Sequence, residues 1–147
     1  TGIEEGAELV YDGRDVEVDG YPDGNFLGPC IFRDVTRDMV IAREEIFGPV
    51  LGLMPASGID EAIEIMNASD FGNAASLFTG SGADAKQFRQ TAEAGNLAVN
   101  AGTAAPMAFF HFGGKKDSFF GDLHAQADDV VRFYTDETVY IERWPDA

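Results

Sequence analysis

The sequence predicts an α/β fold with a parallel sheet. Between residues 50 and 100, three strand-like apolar segments alternate with two segments whose apolar residues recur at helical spacing. This alternation is typical of parallel strands joined by right-handed helical crossovers. After residue 129 the chain is rich in β-branched and aromatic residues. We therefore expect a parallel βαβαβ core over residues 1–128 and a β-rich tail over residues 129–147.

The first 48 residues favour strands and loops. Residues 7–11 predict a short strand that ends at Asp12 and Gly13, and residues 26–35 predict another strand after a turn at residues 22–24. The core begins with a buried strand at residues 50–54. A helix at residues 60–67 follows, and Ser57 with Asp60 resembles its capping box.

The second helical segment repeats this arrangement. Residues 75–79 predict a strand, and Ser81 with Asp84 can cap a helix that carries Ala85, Phe88 and Ala92 and stops at Gly95. Residues 97–100 predict the next strand. In the tail, residues 130–134 and 138–144 predict strands with no helix between them. They would form either an internal edge hairpin or strands that pair with another chain.

A candidate binding turn lies at residues 44–50, which read Glu-Glu-Ile-Phe-Gly-Pro-Val. The Gly-Pro pair disfavours helix, so the turn should be rigid and lead into a strand. A carboxylate there can accept hydrogen bonds from two ribose hydroxyls, and an aromatic ring can pack on the sugar or the ring beyond it. Alternatively, Glu44 and Glu45 are solvated charges and Phe47 is a core residue.

A second candidate is the aromatic segment at residues 106–112, which glycines flank. Its phenylalanines Phe109, Phe110 and Phe112 would be either the wall of a pocket or loop packing. His111 and His124 have no ligand-like spacing with Cys or another His, so no metal site is predicted.

The charge and hydrophobic content of the chain disfavour some classes of function. The 26 acidic and 10 basic residues give a formal charge of −16, which disfavours a nucleic acid partner. The acidic residues are spread along a chain that is 45% hydrophobic, which favours a folded protein suited to concentrated salt and a halophilic source. The alternative is an acidic module for a basic partner, although no run of five like charges occurs.

Location and redox state follow from the same sequence. The chain has no run of 18 apolar residues and no signal-peptide pattern, so we expect a cytoplasmic protein with no membrane partner. Its single cysteine, Cys30, lies in an apolar segment and is expected to be a small core residue in a reducing compartment.

Taken together, these segments resemble the NAD(P)-dependent aldehyde dehydrogenase superfamily along essentially the whole chain. The turn at residues 44–50 is similar to that family's Glu-Ile-Phe-Gly-Pro signature. Residues 118–125 and 131–135 look most like the CoA-acylating methylmalonate-semialdehyde dehydrogenase branch. Members are about three times as long as this chain, and their nucleophilic cysteine precedes the segment seen here. The resemblance therefore implies the C-terminal portion of the catalytic domain, with no catalytic residue in this chain.

The resemblance also implies a function for the parent enzyme. It would oxidise methylmalonate or malonate semialdehyde with NAD through a cysteine thioester and pass the acyl group to CoA. Glu45 and Phe47 would contact NAD, while Phe112, and also Phe109 and Phe110, would line the substrate pocket. The tail would pair with a neighbouring subunit in a homodimer or homotetramer. Two alternatives stay open: a non-catalytic binding module derived from the family, and another branch that uses water as acyl acceptor.

Overall fold

The chain folds into two units, each of which contains a parallel strand pair. A computed structural model describes residues 1–102 and 104–145, and the two units are Thr1–Ser69 and Asp70–Ala147. The first contains strands β1 (Glu8–Tyr11), β2 (Cys30–Arg33) and β3 (Val50–Gly52) and helices α1 (Val40–Arg43) and α2 (Ile59–Asn67). The second contains strands β4 (Phe71–Gly72), β5 (Ala74–Leu77), β6 (Asn96–Val99) and β7 (Lys115–Lys116) and helices α3 (Gly82–Thr91) and α4 (Ala127–Phe133).

The sheet of the first unit has the order β1-β2-β3. Strand β1 runs antiparallel to β2, and β2 runs parallel to β3 with Cys30 opposite Val50. An ion pair between Glu8 and Arg33 joins residues that are directly opposite each other on β1 and β2. Beside the sheet, Ala7, Val35 and Met39 form a buried cluster against which Phe32, Ile41, Ala42 and Met54 pack.

Cys30 is buried at the start of β2, as the sequence predicts. Its Sγ lies 3.9 Å from Oδ1 of Asp12. The Arg14 guanidinium donates hydrogen bonds to the Asp12 carboxylate and lowers the pKa of that group to about 2. Cys30 is therefore a buried side chain whose thiol faces the Asp12 carboxylate, in agreement with the predicted core role.

In the second unit, α3 connects two parallel strands. Residues Ala74 to Leu77 pair in register with Asn96 to Val99, so β5, α3 and β6 form a βαβ crossover. Helix α3 starts where the Ser81 side chain accepts a hydrogen bond of 3.2 Å from the Asp84 amide, which confirms the predicted cap. Phe88 is buried on the inner face of this helix.

The predicted single βαβαβ sheet is wrong in its pairing. Among the described residues, β3 pairs with β2, and β5 pairs only with β6, so the strands form separate ladders. A second antiparallel pair, β4 with β7, was not predicted, because two-residue strands carry almost no periodic signal. Helix α1 also falls within the region predicted to lack helix.

The start of α2 differs in detail from its prediction. The N-cap residue of this helix is Gly58, and Ser57 before it donates hydrogen bonds of 2.6 Å from both its hydroxyl and its amide to the Glu61 carboxylate. The Ser57 hydroxyl, followed by its amide, lowers the pKa of Glu61. Ile63 is the buried residue on the inner face of the helix, whereas Ala62 is exposed.

The tail prediction is wrong over residues 130–134, which belong to helix α4 and its C-terminal cap instead of a strand. Asp128 and Asp129 in the first turn and Arg132 in the last turn match the helix dipole, and this outweighs the β propensity of the valines. Residues 138–145 form no strand within the described part of the chain, and residues 146–147 of the predicted tail lie outside it.

Candidate functional site

The Glu45 and Phe47 turn lies between α1 and β3. Helix α1 ends as the Glu44 amide donates to the Val40 carbonyl at 2.9 Å. The Gly48 amide then donates to the Ile46 carbonyl and forms a tight turn. Pro49 ties this turn to the sheet, because its carbonyl accepts a 2.9 Å hydrogen bond from the Cys30 amide. The backbone of the turn is therefore fixed at both ends.

Both candidate side chains on this turn are open to solvent. The Phe47 ring is 97% exposed, so the alternative that it packs in the core is wrong for this chain. Glu45 is exposed, and among the described residues no hydrogen bond or ion pair engages its carboxylate. Strand β3 is less buried than predicted, since Leu51 is exposed. A fixed backbone that presents a carboxylate and an aromatic face together is suited to binding a ribose and an adjoining ring.

The aromatic segment belongs to the second unit. The rings of Phe109 and Phe110 pack with their centroids 4.7 Å apart, and both are exposed. Phe112 is held differently, because its amide donates to the Ala125 carbonyl at 2.8 Å and its carbonyl accepts from the Ala125 amide at 3.0 Å. The structure therefore brings Phe109 and Phe110 together and fixes the backbone of Phe112 by a separate pairing.

An open cleft of about 440 Å³ lies between this segment and β6. Its lining on one side is Gly95 to Ala98, and on the other it includes Pro106, Phe110 and His111. The dimensions suit a small organic ligand. Because apolar groups line both sides, the cleft can hold the carbon skeleton of such a ligand, while Asn96 supplies a polar side chain.

The backbone comes unusually close at the end of this cleft. A Cβ atom at Gly95 would lie 2.0 Å from the carbonyl oxygen of Gly113, so only glycine fits there. Asn96 fixes the same place, since its Nδ2 donates to the Gly113 carbonyl at 3.2 Å. The start of β6 thus sets the position of the Gly113 end of the aromatic segment.

A cluster of Asp129, His111 and His124 beside the aromatic segment was not predicted from the sequence. Oδ2 of the buried Asp129 accepts a 3.0 Å hydrogen bond from the His124 amide and lies 3.1 Å from Nδ1 of His111. His124 stacks on Phe119 with ring centroids 4.3 Å apart. The spacing of the two histidines was relevant only to a metal site, and the carboxylate that lies beside them is 18 residues from His111. A pairing of this kind has no local sequence signal.

The backbone at the start of α4 is strained. Gln126 and Ala127 have φ of 71° and 50°, in the left-handed region that non-glycine residues rarely adopt. Each such residue costs about 1–3 kcal/mol, and it persists only where surrounding contacts hold it. Asp129, two residues later in the first turn of α4, provides such contacts.

Within residues 1–102 and 104–145, no three His, Cys, Asp or Glu side chains are grouped so that they could hold a metal ion. Over the same residues, no helix is both long and apolar enough to cross a membrane.

Comparison with known proteins identifies the family. The sequence model of the aldehyde dehydrogenase family matches residues 1–139. Malonate-semialdehyde dehydrogenase 2 of Bacillus thuringiensis (strain Al Hakam) is 53% identical over 98% of this chain, and malonate-semialdehyde dehydrogenase 1 of Geobacillus kaustophilus is 51% identical over 97%. The chain spans 29% of the length of these relatives. The chain belongs to the aldehyde dehydrogenase family.

Solved structures agree with this membership. A Sinorhizobium meliloti 1021 protein assigned as a methylmalonate-semialdehyde dehydrogenase, complexed with NAD, superposes with a TM-score of 0.93 at 41% identity. The match covers 99% of this chain and 30% of that one. An aldehyde dehydrogenase of Mycobacterium tuberculosis complexed with NAD⁺ has a TM-score of 0.78 at 35% identity, covering 92% of this chain and 27% of that one. The fold is therefore that of the aldehyde dehydrogenases, with mixed α and β content.

Replacing Gly95 by alanine should destabilise the second unit. The added methyl group would overlap the Gly113 carbonyl, so we expect the free energy of unfolding to fall by about 1–3 kcal/mol. Gly80→Ala is the matched control, since a Cβ there meets nothing within 4 Å. Urea unfolding of both variants measures the difference. Equal midpoints would show that the segment at Gly113 moves aside without loss.

Proposed function

We propose that this chain is the C-terminal part of an NAD-dependent dehydrogenase that oxidises malonate or methylmalonate semialdehyde to an acyl-CoA. The main support is the match to semialdehyde dehydrogenases over almost the whole chain, including an NAD-complexed structure. Since the chain spans less than a third of those relatives, the remaining part of the enzyme would supply the dinucleotide cradle and the nucleophile.

The proposed chemistry is covalent. A cysteine thiolate from the remaining part of the enzyme attacks the aldehyde carbon, and the alkoxide formed is that of a thiohemiacetal. The chemistry that NAD⁺ would supply is acceptance of the hydride from this carbon, and an acyl thioester would then remain on the cysteine. In this branch the substrate carboxylate leaves as CO₂, a proton replaces it, and the CoA thiol then takes the acyl group and frees the cysteine.

In this scheme, Glu45 and Phe47 position the cofactor. The Glu45 carboxylate would accept hydrogen bonds from both hydroxyls of the nicotinamide-side ribose, and Phe47 would pack on that end. Their support is geometric: both side chains are exposed on a turn whose backbone is hydrogen-bonded to the sheet at Pro49. Neither side chain would transfer a proton.

Phe112, with Phe109 and Phe110, would form one wall of the acyl site. The support is the cleft between β6 and the aromatic segment, which Phe110 lines and which has the size of a small ligand. Cys30 would take no part, because it is buried beside Asp12. The chain alone should therefore be inactive.

An assay of the native protein tests this function. Antiserum against the chain should detect a polypeptide about three times its length, and that protein, once purified, should reduce NAD⁺ with malonate semialdehyde only when CoA is present. Activity without CoA would favour a branch with water as acyl acceptor. A native polypeptide with a mass of about 15.8 kDa, that of this chain alone, would instead favour a non-catalytic binding module.

Glu45→Gln in the native enzyme should weaken the use of NAD. The amide presents one acceptor oxygen instead of two, so we expect the KM for NAD to rise by about tenfold, which corresponds to the loss of one charged hydrogen bond. Steady-state kinetics with NAD as the varied substrate measures this change.

The control for this substitution is Glu44→Gln, which removes the same charge from the neighbouring exposed residue. It should leave the KM for NAD within about twofold of the unmodified enzyme. If the two variants behave alike, Glu45 is not the ribose contact.

We also propose that residues 138–145 join neighbouring subunits of a homo-oligomer. Their apolar side chains Val139, Ile141 and Trp144 are almost fully exposed, and these residues form no strand within the described chain. An exposed apolar segment with high β propensity is suited to pairing with the sheet of another chain.

Deleting residues 138–147 should lower the molar mass of the assembly. This deletion leaves α4 intact, so it tests the segment without cutting a helix. Size-exclusion chromatography with light scattering gives the mass, and removal of residues 146–147 alone is the control. An unchanged mass in the longer deletion would refute the interface.

A further inference from the structure

Asp129 occupies a central place beside the aromatic segment. It is the buried charged residue of the described chain, and one of its oxygens meets three nitrogen atoms. Oδ2 accepts from the His124 amide at 3.0 Å, and it lies 3.1 Å from Nδ1 of His111 and 3.8 Å from Nδ1 of His124. A carboxylate is buried at this depth only when such partners offset the loss of water.

These contacts reach both sides of the Phe112 pairing. His111 directly precedes Phe112, and His124 directly precedes Ala125, to which Phe112 is hydrogen-bonded. One carboxylate oxygen thus joins the two chain segments next to the backbone pair of Phe112 with Ala125. The orientation of Phe112 depends on this junction.

The contacts extend further through His124. Its ring stacks on Phe119, and its Nε2 lies 3.4 Å from the carbonyl oxygen of Gly114. A third backbone bond, from the Ala127 amide to the Ala108 carbonyl at 3.2 Å, connects the start of α4 to the beginning of the aromatic segment. The aromatic segment is therefore attached to α4 near both of its ends.

The attachment has to hold a strained stretch of chain. Gln126 and Ala127 are both left-handed, and Oε1 of Gln126 is buried with no hydrogen-bond partner among the described residues. Local preference would relax this stretch. Since Asp129 lies two residues after Ala127 in the first turn of the same helix, its contacts with the two histidines oppose that relaxation.

We propose that Asp129 is a positioning residue that holds Phe109 to Phe112 in the geometry of the acyl site, acting through His111 and His124. This inference rests on the proposed function, since it assigns the aromatic segment to the aldehyde side of that reaction. It predicts that loss of the Asp129 charge affects the aldehyde and leaves the cofactor end, at Glu45, unchanged.

The test compares Asp129→Asn with Asp128→Asn in the native enzyme. Asp128 is the preceding exposed residue on the same turn of α4, so its variant has the same charge change without the contacts. In Asp129→Asn we expect the KM for the aldehyde to rise about tenfold, because small displacements of a binding wall weaken substrate positioning strongly. The KM for NAD should stay within about twofold in both variants.

A purely structural role gives a different result. It would lower the melting temperature and the active fraction, and so kcat per milligram, while the KM for the aldehyde stayed constant. That outcome overturns the proposal, as does equal behaviour of the two variants.

His111→Asn keeps the proposal testable if Asp129→Asn fails to fold. This substitution removes the contact between His111 and Asp129 and retains the hydrogen bond from the His124 amide. The KM for the aldehyde should therefore rise less, by about threefold, while the KM for NAD stays unchanged. Where Asp129→Asn does fold, the double variant should be no worse than Asp129→Asn alone, because both changes break the same link. Additive effects, or no effect of His111→Asn, contradict the proposal.

Hydrogen exchange separates this inference from the proposed function. If the unmodified enzyme oxidises no semialdehyde, the proposed function fails. The stability of the Phe112 and Ala125 pairing can still be measured from the hydrogen-exchange rates of their amides. These rates should increase in Asp129→Asn and not in Asp128→Asn. Equal exchange in the two variants shows that Asp129 does not hold the segment.

Discussion

Backbone hydrogen bonds at the starts of parallel strands fix the register on which both candidate sites depend. The Cys30 amide bonds to the Pro49 carbonyl at 2.9 Å and fixes the turn before β3, and the Gly95 amide bonds to the Gly72 carbonyl at 2.8 Å and fixes the start of β6. A slip of one residue would turn every side chain of a strand to the opposite face. Proline and glycine occupy these places because each joins a loop of restricted geometry to a strand of fixed register.

Elements set by local pattern were predictable from the sequence. The βαβ crossover of β5, α3 and β6 followed from apolar periodicity and from the Ser81 cap, although α3 ends at Thr91, earlier than the predicted stop at Gly95. Elements set by contacts between distant residues were not predictable from the sequence. Residues 130–134 have the composition of a strand, yet they close a helix whose first turn is anchored by Asp129 to His124. Tertiary contacts overrode β propensity there.

The distinction between features set by local sequence and features set by distant contacts also applies to the candidate sites. The turn of Glu45 and Phe47 could be found because its residues are contiguous and its Gly-Pro pair restricts the backbone. The structure adds that both side chains are open to solvent, which composition alone could not decide. The link from Asp129 to His111 was missed, since the two residues are far apart in sequence and neither belongs to a periodic pattern. Such pairs become visible only once the chain is folded.

The shared oxygen of Asp129 also restricts how this sequence can drift. A substitution at His111 removes a close nitrogen neighbour of a buried carboxylate, and a substitution at Asp129 removes the oxygen that the His111 ring and the His124 amide share. Single changes at these positions are therefore penalised, while joint replacement by residues of matching shape is tolerated. His111, His124 and Asp129 lie on two loops and a helix. We expect the residue types at these three positions to change together among the relatives of this chain.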